Sequence, residues 1–207
     1  MNQLHRIHAS GSQERLDRLI KERLAPGADK ARIDQRIWDL FGENWCVMFT
    51  DLSGFSRRVE EFGIIHFLQI IHESERLLIP VIEDHEGILL KLEGDSFLVI
   101  FRNSQKALRC AIGLQHLLAK YNLDRLPEER VLLCVGLGYG RVLRIGDSDV
   151  FGAEVNAASK LGEDRAKGGE ILVTGAFRNQ CGDVAGTSFV QIDHPPAGTA
   201  TAFQVMF

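Results

Sequence analysis

The sequence lacks several features that would place the chain in a specialised class of protein. It has no apolar run of the roughly 18–20 residues that a membrane-spanning helix needs. Residues 1–6 lack the apolar segment of a secretory signal. The net charge is −4, whereas nucleic-acid-binding surfaces carry an excess of basic residues. We therefore expect a cytoplasmic protein with no membrane span and no nucleic-acid partner.

Cysteine is scarce and scattered. The four cysteines show no C-x-x-C spacing, and the seven histidines show no metal-ligand spacing. Cys46 and Cys134 lie inside apolar runs, which is typical of small buried side chains. With 207 residues, 45% of them hydrophobic, the chain is long enough for one sizeable core.

The first 42 residues differ in pattern from the rest of the chain. Ser12 is a candidate N-cap for a helix over residues 14–24, where apolar residues recur at helical spacing. A second amphipathic helix is predicted from about Asp29 to the end of this segment. We expect residues 1–42 to form a short N-terminal helical extension that packs on the main domain, residues 43–207, or on a second subunit.

From Trp45 onward, apolar runs that predict strands alternate with spaced apolar residues that predict helices. The predicted strands cover residues 45–50, 87–91, 96–101, 131–138, 140–145, 170–174, 188–193 and 201–206, and the predicted helices cover about 57–84, 104–121 and 153–165. The second and third strands flank a Gly-Asp turn and so predict a hairpin. This pattern predicts an α+β sandwich in which helices cover a mostly antiparallel sheet.

Two aspartates occupy positions where this arrangement would bring them together. Asp51 directly follows the first predicted strand, and backbone N–H groups of the small-residue turn behind it are available for phosphate oxygens. Asp95 lies at the tip of the predicted hairpin. If the hairpin pairs beside the first strand, the two carboxylates converge and Mg²⁺ is the obvious counter-ion. The alternative is two unrelated turn aspartates, since Asp is common in turns.

Four motifs follow one another along the chain. They are FTDLSGF at 49–55, KLEGDSF at 91–97, VGLGYG at 135–140 and DVFGAEVNAASK at 149–160. From about Asn44 to Phe177 the chain thus resembles the catalytic domain of the class III adenylate and guanylate cyclases. The resemblance implies a ferredoxin-like (palm-like) fold and an enzyme that converts ATP to 3′,5′-cyclic AMP and pyrophosphate.

The resemblance also implies roles for individual residues. Asp51 and Asp95 match the aspartates that bind two Mg²⁺ or Mn²⁺ ions, which assist the in-line attack of the ribose 3′-hydroxyl. Lys91 and Asp149 match the positions that read the purine base. Three residues of the turn after Asp51 are expected to bind substrate: Ser53, Gly54 and Phe55.

Asn156 matches the asparagine that orients the ribose and the transition state, and Lys160 stands where the family usually has Arg. In the family, metal residues of one subunit face base and transition-state residues of the other. Because this chain has both sets, the resemblance implies a homodimer with two equivalent sites.

Three departures from the family pattern leave alternatives open. Lys160 supplies a point charge but not the planar fork of Arg. Residues 193–201 contain no Lys or Arg, although the family usually has a phosphate-contacting Lys there. The segment between Gly140 and Asp149 is shorter than is common, so the assignment of Asp149 depends on where the deletion falls.

The alternative to an active enzyme is a catalytically weak, cyclase-like regulatory module that binds a nucleotide, or only a partner. GTP or a pyrimidine triphosphate remains open as the substrate. A diguanylate cyclase is a third interpretation, because residues 93–97 echo the Gly-Gly-Asp-Glu-Phe signature of that family.

Overall fold

The computed structural model describes residues 11–207 and, within that range, only the backbone of residues 55–58. The helices are α1 (Gly11–Leu24), α2 (Lys30–Phe41), α3 (Phe55–Phe62), α4 (Ile64–Asp84), α5 (Ser104–Tyr121), α6 (Ala153–Lys160) and α7 (Gly175–Cys181). The strands are β1 (Gly42–Leu52), β2 (Ile88–Glu93), β3 (Ser96–Phe101), β4 (Leu133–Ile145), β5 (Asp149–Phe151), β6 (Ile171–Thr174), β7 (Ser188–Gln191) and β8 (Ala202–Met206).

The strands of the described range form one mixed sheet in the order β2-β3-β1-β4-β6-β8-β7, and β5 pairs with the end of β4. Strands β4 and β6 run parallel. The other strand pairs described here are antiparallel. The predicted α+β class with a mostly antiparallel, helix-covered sheet is therefore confirmed.

Strand β1 lies inside the sheet because both of its faces are apolar. Cys46 and Met48 face a large core that includes residues of α4 and α5. Trp45 and Val47 face the opposite side, where they pack with Ala158 of α6. None of these four β1 side chains is more than 1% exposed. The predicted central, buried strand is confirmed.

The β2–β3 hairpin brings its tip to the end of β1. Glu93 pairs with Ser96 across a two-residue turn, in which Gly94 has a φ of +62°, a backbone conformation that glycine adopts readily. Strand β3 pairs with β1 from Cys46 to Thr50. The hairpin predicted from the sequence forms and lies directly beside the first strand.

Alternate glycines on β4 let the backbone of α6 contact the backbone of the strand directly. A Cβ on Gly136 would lie 2.6 Å from the Gly162 nitrogen and closer still to the Ala158 carbonyl oxygen. A Cβ on Gly138 would lie 2.6 Å from the Glu154 carbonyl oxygen. Residues two apart in a strand share a face. The glycines of the motif at 135–140 therefore leave one face of β4 without side chains at these positions, and α6 packs there.

The N-terminal helices α1 and α2 pack on the end of β4. Leu19, Ile33 and Phe41 form a buried cluster with Ile145 of that strand. Asp29 caps α2 by accepting a hydrogen bond from the Arg32 N–H at 3.1 Å. The two predicted helices therefore exist, and they contact the main sheet of their own chain.

Besides shifts of a few residues at element ends, three predicted stretches are divided differently in the structure. The helix predicted over 57–84 is two helices, α3 and α4, because Gly63 between them has a φ of +85°. The strands predicted at 131–138 and 140–145 are the single strand β4. The helix predicted over 153–165 is α-helical only to Lys160 and continues as a π-helical turn, Leu161–Arg165.

Two short elements, α7 and β5, were not predicted at all.

Within residues 11–207, no helix combines the length and the apolar character that crossing a membrane requires.

We expect Gly136→Ala to lower the free energy of unfolding by about 3 kcal/mol or more, since its methyl group would overlap the α6 backbone, which side-chain rotation does not relieve. Urea unfolding would measure the loss. Gly113→Ala is the matched control: its Cβ meets nothing nearer than 3.6 Å inside α5, so it should stabilise the protein by about 0.5–1 kcal/mol. An unchanged stability for Gly136→Ala would contradict the close packing of α6 on β4.

Candidate active site

The carboxylates of Asp51 and Asp95 meet at the end of β1. Asp51 is the last residue but one of that strand, and Asp95 lies in the β2–β3 turn. The Ser96 hydroxyl donates to Asp51 Oδ1 at 3.2 Å. Burial raises the pKa of Asp51 to about 6, and the negative charge of Asp95 is the second cause. Burial also raises the pKa of Asp95. The predicted convergence of the two carboxylates is present.

One oxygen of this pair is buried without a partner. Asp95 Oδ2 is inaccessible to solvent, and no hydrogen-bond donor of the described residues reaches it. Buried polar atoms are usually hydrogen-bonded, so an unpaired carboxylate oxygen next to a second carboxylate fits a cation. The described residues contain no cluster of three or more His, Cys, Asp or Glu that could hold a metal ion. An ion here would therefore take its other ligands from water or phosphate, as Mg²⁺ commonly does.

The turn after Asp51 only partly matches the expectation for a phosphate-binding turn. The Ser53 N–H donates to the Leu132 carbonyl oxygen at 2.8 Å, so the prediction that it is available to a phosphate is wrong. Gly54 has a φ of +85° and precedes α3 without a side-chain cap. The backbone of Phe55 begins α3, but its side chain lies outside the described part of the chain.

Lys91 and Asp149 form an ion pair although they are 58 positions apart in sequence. The Lys91 Nζ lies 2.6 Å from Asp149 Oδ2, and this hydrogen bond raises the pKa of Lys91. Asp149 opens β5, which folds back antiparallel to β4 by pairing with Ile145. The short segment before Asp149 is thus a tight hairpin, and it delivers the carboxylate to Lys91. The structure brings together the two residues expected to read a base.

Asn156 and Lys160 lie one helical turn apart on α6, away from the sheet. The Asn156 side chain is exposed and that of Lys160 is half-buried. In the described range, no carboxylate lies within ion-pair distance of the Lys160 ammonium group. The neighbouring Glu163 accepts a hydrogen bond from the Ser159 hydroxyl at 3.0 Å. Both side chains are therefore available to a molecule outside this chain.

Three residues near the site have no site role that the sequence analysis predicts: Ser96, Glu154 and Glu163. Ser96 follows Asp95 directly, and its place opposite Asp51 became visible only with the strand pairing. The charge of Glu163 adds a smaller contribution to the raised pKa of Asp51, after burial and Asp95. Glu154 had a detectable signal, because it shares a helical face with Ala157 and Ala158 and is the one charge among them.

Comparison with known proteins gives one consistent family. The chain is 32% identical over 130 residues to the putative adenylate cyclase 3 of Rhizobium meliloti. It is 31% identical over 135 residues to the serine/threonine-protein kinase pkn2 of Myxococcus xanthus. These matches take in 62% and 65% of this chain, but only 22% and 16% of those longer relatives.

Among solved structures, the adenylate/guanylate cyclase/hydrolase from Silicibacter pomeroyi superposes with a TM-score of 0.67 at 25% identity. That match covers 79% of this chain and 95% of the other. The family model described as the adenylate and guanylate cyclase catalytic domain matches residues 41–191. This range includes the paired aspartates, the Lys91–Asp149 ion pair and α6, so the chain belongs to the class III adenylate and guanylate cyclase catalytic domain family.

Proposed function

We propose that this chain is an adenylate cyclase, which converts ATP to 3′,5′-cyclic AMP and pyrophosphate as a cytoplasmic homodimer. Residues 43–207 form the catalytic domain in this proposal, and residues 1–42 are an N-terminal extension, whose helices α1 and α2 pack against that domain. The observation that carries the proposal is the convergence of Asp51 and Asp95, in which Asp95 Oδ2 is buried and has no hydrogen-bond partner among the described residues.

Asp51 and Asp95 would hold two Mg²⁺ or Mn²⁺ ions. Their raised pKa values show that the folded chain places negative charge where solvent screens it poorly, which a divalent cation would relieve. Bound there, the ions would make the ribose 3′-hydroxyl more acidic and neutralise charge on the departing pyrophosphate. Ser96 holds one oxygen of Asp51 and so orients the carboxylate.

Lys91 and Asp149 would select adenine. The base presents an acceptor, N1, and a donor, the N6 amino group, on its Watson–Crick edge. An ammonium donor and a carboxylate acceptor held together complement that edge, whereas guanine presents the opposite pattern. In the absence of nucleotide the two side chains satisfy each other, which keeps the recognition pair assembled.

Asn156 and Lys160 would act on the nucleotide held by a second copy of the chain. Both point outward from α6, and neither is engaged by a carboxylate in the described part of its own chain. A cation beside the α-phosphate stabilises the charge that grows there during attack. In the proposed homodimer, each site takes its two aspartates from one subunit and its Asn156 and Lys160 from the other.

One observation favours a second candidate, a cyclase-like regulatory module that binds nucleotide but turns it over weakly. The loop over residues 193–201 has no Lys or Arg to hold the β- and γ-phosphates. The assays below separate the two candidates.

We expect Asp51→Asn to stabilise the metal-free protein at pH 7 by about 1–2 kcal/mol. The gain is limited because solvent screens part of the charge of this half-buried carboxylate. The folded chain binds this proton more tightly than the unfolded chain, because the pKa is raised from 3.8 to about 6. The stability of the wild type should therefore fall as the pH rises from about 4 to about 6 and then level off. Urea unfolding in EDTA would measure this fall, which should be smaller in the variant, where Asp95 alone still contributes.

Mn²⁺ added to the same samples should raise the Tm of the wild type but not that of Asp51→Asn. Asp124→Asn, at an exposed aspartate outside the site, is the matched control and should keep the full response to Mn²⁺. An equal response in Asp51→Asn would refute the metal assignment.

Incubation with Mn²⁺ and each of the four ribonucleoside triphosphates should give cyclic product fastest from ATP. The double variant Lys91→Glu, Asp149→Asn should lower the ATP-over-GTP ratio of kcat/KM by about 10–100-fold, since the donor and acceptor that match adenine are lost. Chromatography of the products would measure the ratio.

Lys120→Glu, at an exposed lysine of α5, controls for the charge change and should leave the ratio as it was. An unaltered ratio in the double variant would show that these two positions do not read the base. If a dimeric preparation turned over none of the four nucleotides, the regulatory module would be the correct interpretation.

Asp51→Asn and Asn156→Ala should each reduce turnover by about 10²–10³-fold or more as pure homodimers. Refolded together in equal amounts, they should recover about a quarter of wild-type turnover, because half of the dimers are mixed and each mixed dimer has one intact site. Asp51→Asn mixed with Asp95→Asn is the control, and it should recover nothing. The same lack of recovery with Asn156→Ala would place all catalytic groups within one chain.

A further inference from the structure

We infer that Glu154 is a positioning residue, which seats the first turn of α6 on the sheet and thereby aims Asn156 at the nucleotide. This inference rests on the proposed function, in which Asn156 acts on the reacting nucleotide.

Glu154 lies on the inward face of α6. Residues three, four and seven positions further on are Ala157, Ala158 and Leu161, and all three are buried against the sheet. Asn156, two positions after Glu154, points to the opposite side of the helix and is exposed. A carboxylate therefore stands at the start of a face that is otherwise small and apolar.

A single oxygen of Glu154 connects α6 to two strands. Oε2 accepts hydrogen bonds from the Thr174 hydroxyl at 2.7 Å and from the Tyr139 N–H at 3.1 Å. Thr174 is fully buried, and its hydroxyl also caps α7 by accepting from the Phe177 N–H at 3.1 Å. The first turn of α6 is in this way tied to β4, to the end of β6 and to the start of α7.

The hydrogen bond from the Tyr139 N–H to Glu154 forms at a point where β4 is no longer paired with β6. The pairing of β4 with β6 covers Val135 to Leu137, so the Tyr139 N–H lies beyond it. A partly buried backbone N–H without a strand partner needs another acceptor, and the Glu154 carboxylate provides it. An apolar residue at position 154 would match its helical neighbours in character but would leave this N–H and the Thr174 hydroxyl without their acceptor.

The glycines of β4 make room for this particular side chain. A Cβ on Gly140 would lie 2.8 Å from Glu154 Cγ, and a Cβ on Gly138 would lie 3.1 Å from Glu154 Oε2. The methylene groups of Glu154 thus pack directly against the backbone of β4. This packing restricts movement of α6 along the strand. Because α6 is only eight residues long, the placement of its first turn decides where Asn156 points.

A test should separate the two hydrogen bonds from the charge and the volume of the side chain. Glu154→Met keeps the length and removes both acceptors. Glu154→Gln keeps one carbonyl oxygen, which is sufficient because both donors bind the same atom. Should the Met variant not fold, Glu154→Ala serves in its place.

For Glu154→Met we expect kcat to fall about 10–100-fold, while KM and the affinity for Mn²⁺ stay within about twofold of the wild type. Glu154→Gln should restore kcat to within about threefold of the wild type. In hydrogen–deuterium exchange, peptides that contain residues 153–160 should exchange about tenfold faster in the Met variant, and those of α5 should be unaltered.

A wild-type kcat in Glu154→Met, or a Gln variant as impaired as the Met variant, would overturn the inference. So would unchanged exchange over residues 153–160. The exchange experiment needs no turnover, so it still decides whether Glu154 holds α6 if the wild type proves inactive and the proposed function fails.

Discussion

The direct packing of the α6 backbone on β4 is the constraint on which the rest of the site depends. Gly136 and Gly138 leave no side chain between helix and strand, so their separation is set by backbone contact. Such a contact cannot be stretched or compressed by choosing another rotamer. The contact between α6 and β4 therefore fixes the distance of Asn156 and Lys160 from the sheet. It also keeps the face of β1 that carries Trp45 and Val47 covered by α6.

In the proposed function, the charged groups around the sheet complement a nucleoside triphosphate and its metal ions. Two half-buried carboxylates meet at the end of β1, where burial raises both pKa values and the negative charge of Asp95 further raises that of Asp51. Lys91 and Asp149 form an ion pair at a second point, and no carboxylate of the described residues pairs with Lys160 on α6. A divalent cation, a purine edge and a phosphate thus each have a complementary group on the same chain.

Some features followed from local pattern and were predictable. The β2–β3 hairpin was signalled by its turn residues, and β1 by an apolar run. Other features depended on contacts between distant segments. The apolar pattern over residues 57–84 is helical throughout, so the break between α3 and α4 is seen only in the positive φ of Gly63. The loss of the Ser53 N–H to Leu132 could not be foreseen, because that partner lies almost eighty positions away in sequence.

Residue types and their spacing along the chain are sufficient to predict the α+β class, the order of the four motifs, the family and the two aspartates. The folded structure adds that Lys91 contacts Asp149, that Asn156 faces outward and that Glu154 connects α6 to β4 and Thr174. These contacts join distant parts of the chain, and they form only because side chains and glycines on several strands together set how the elements pack.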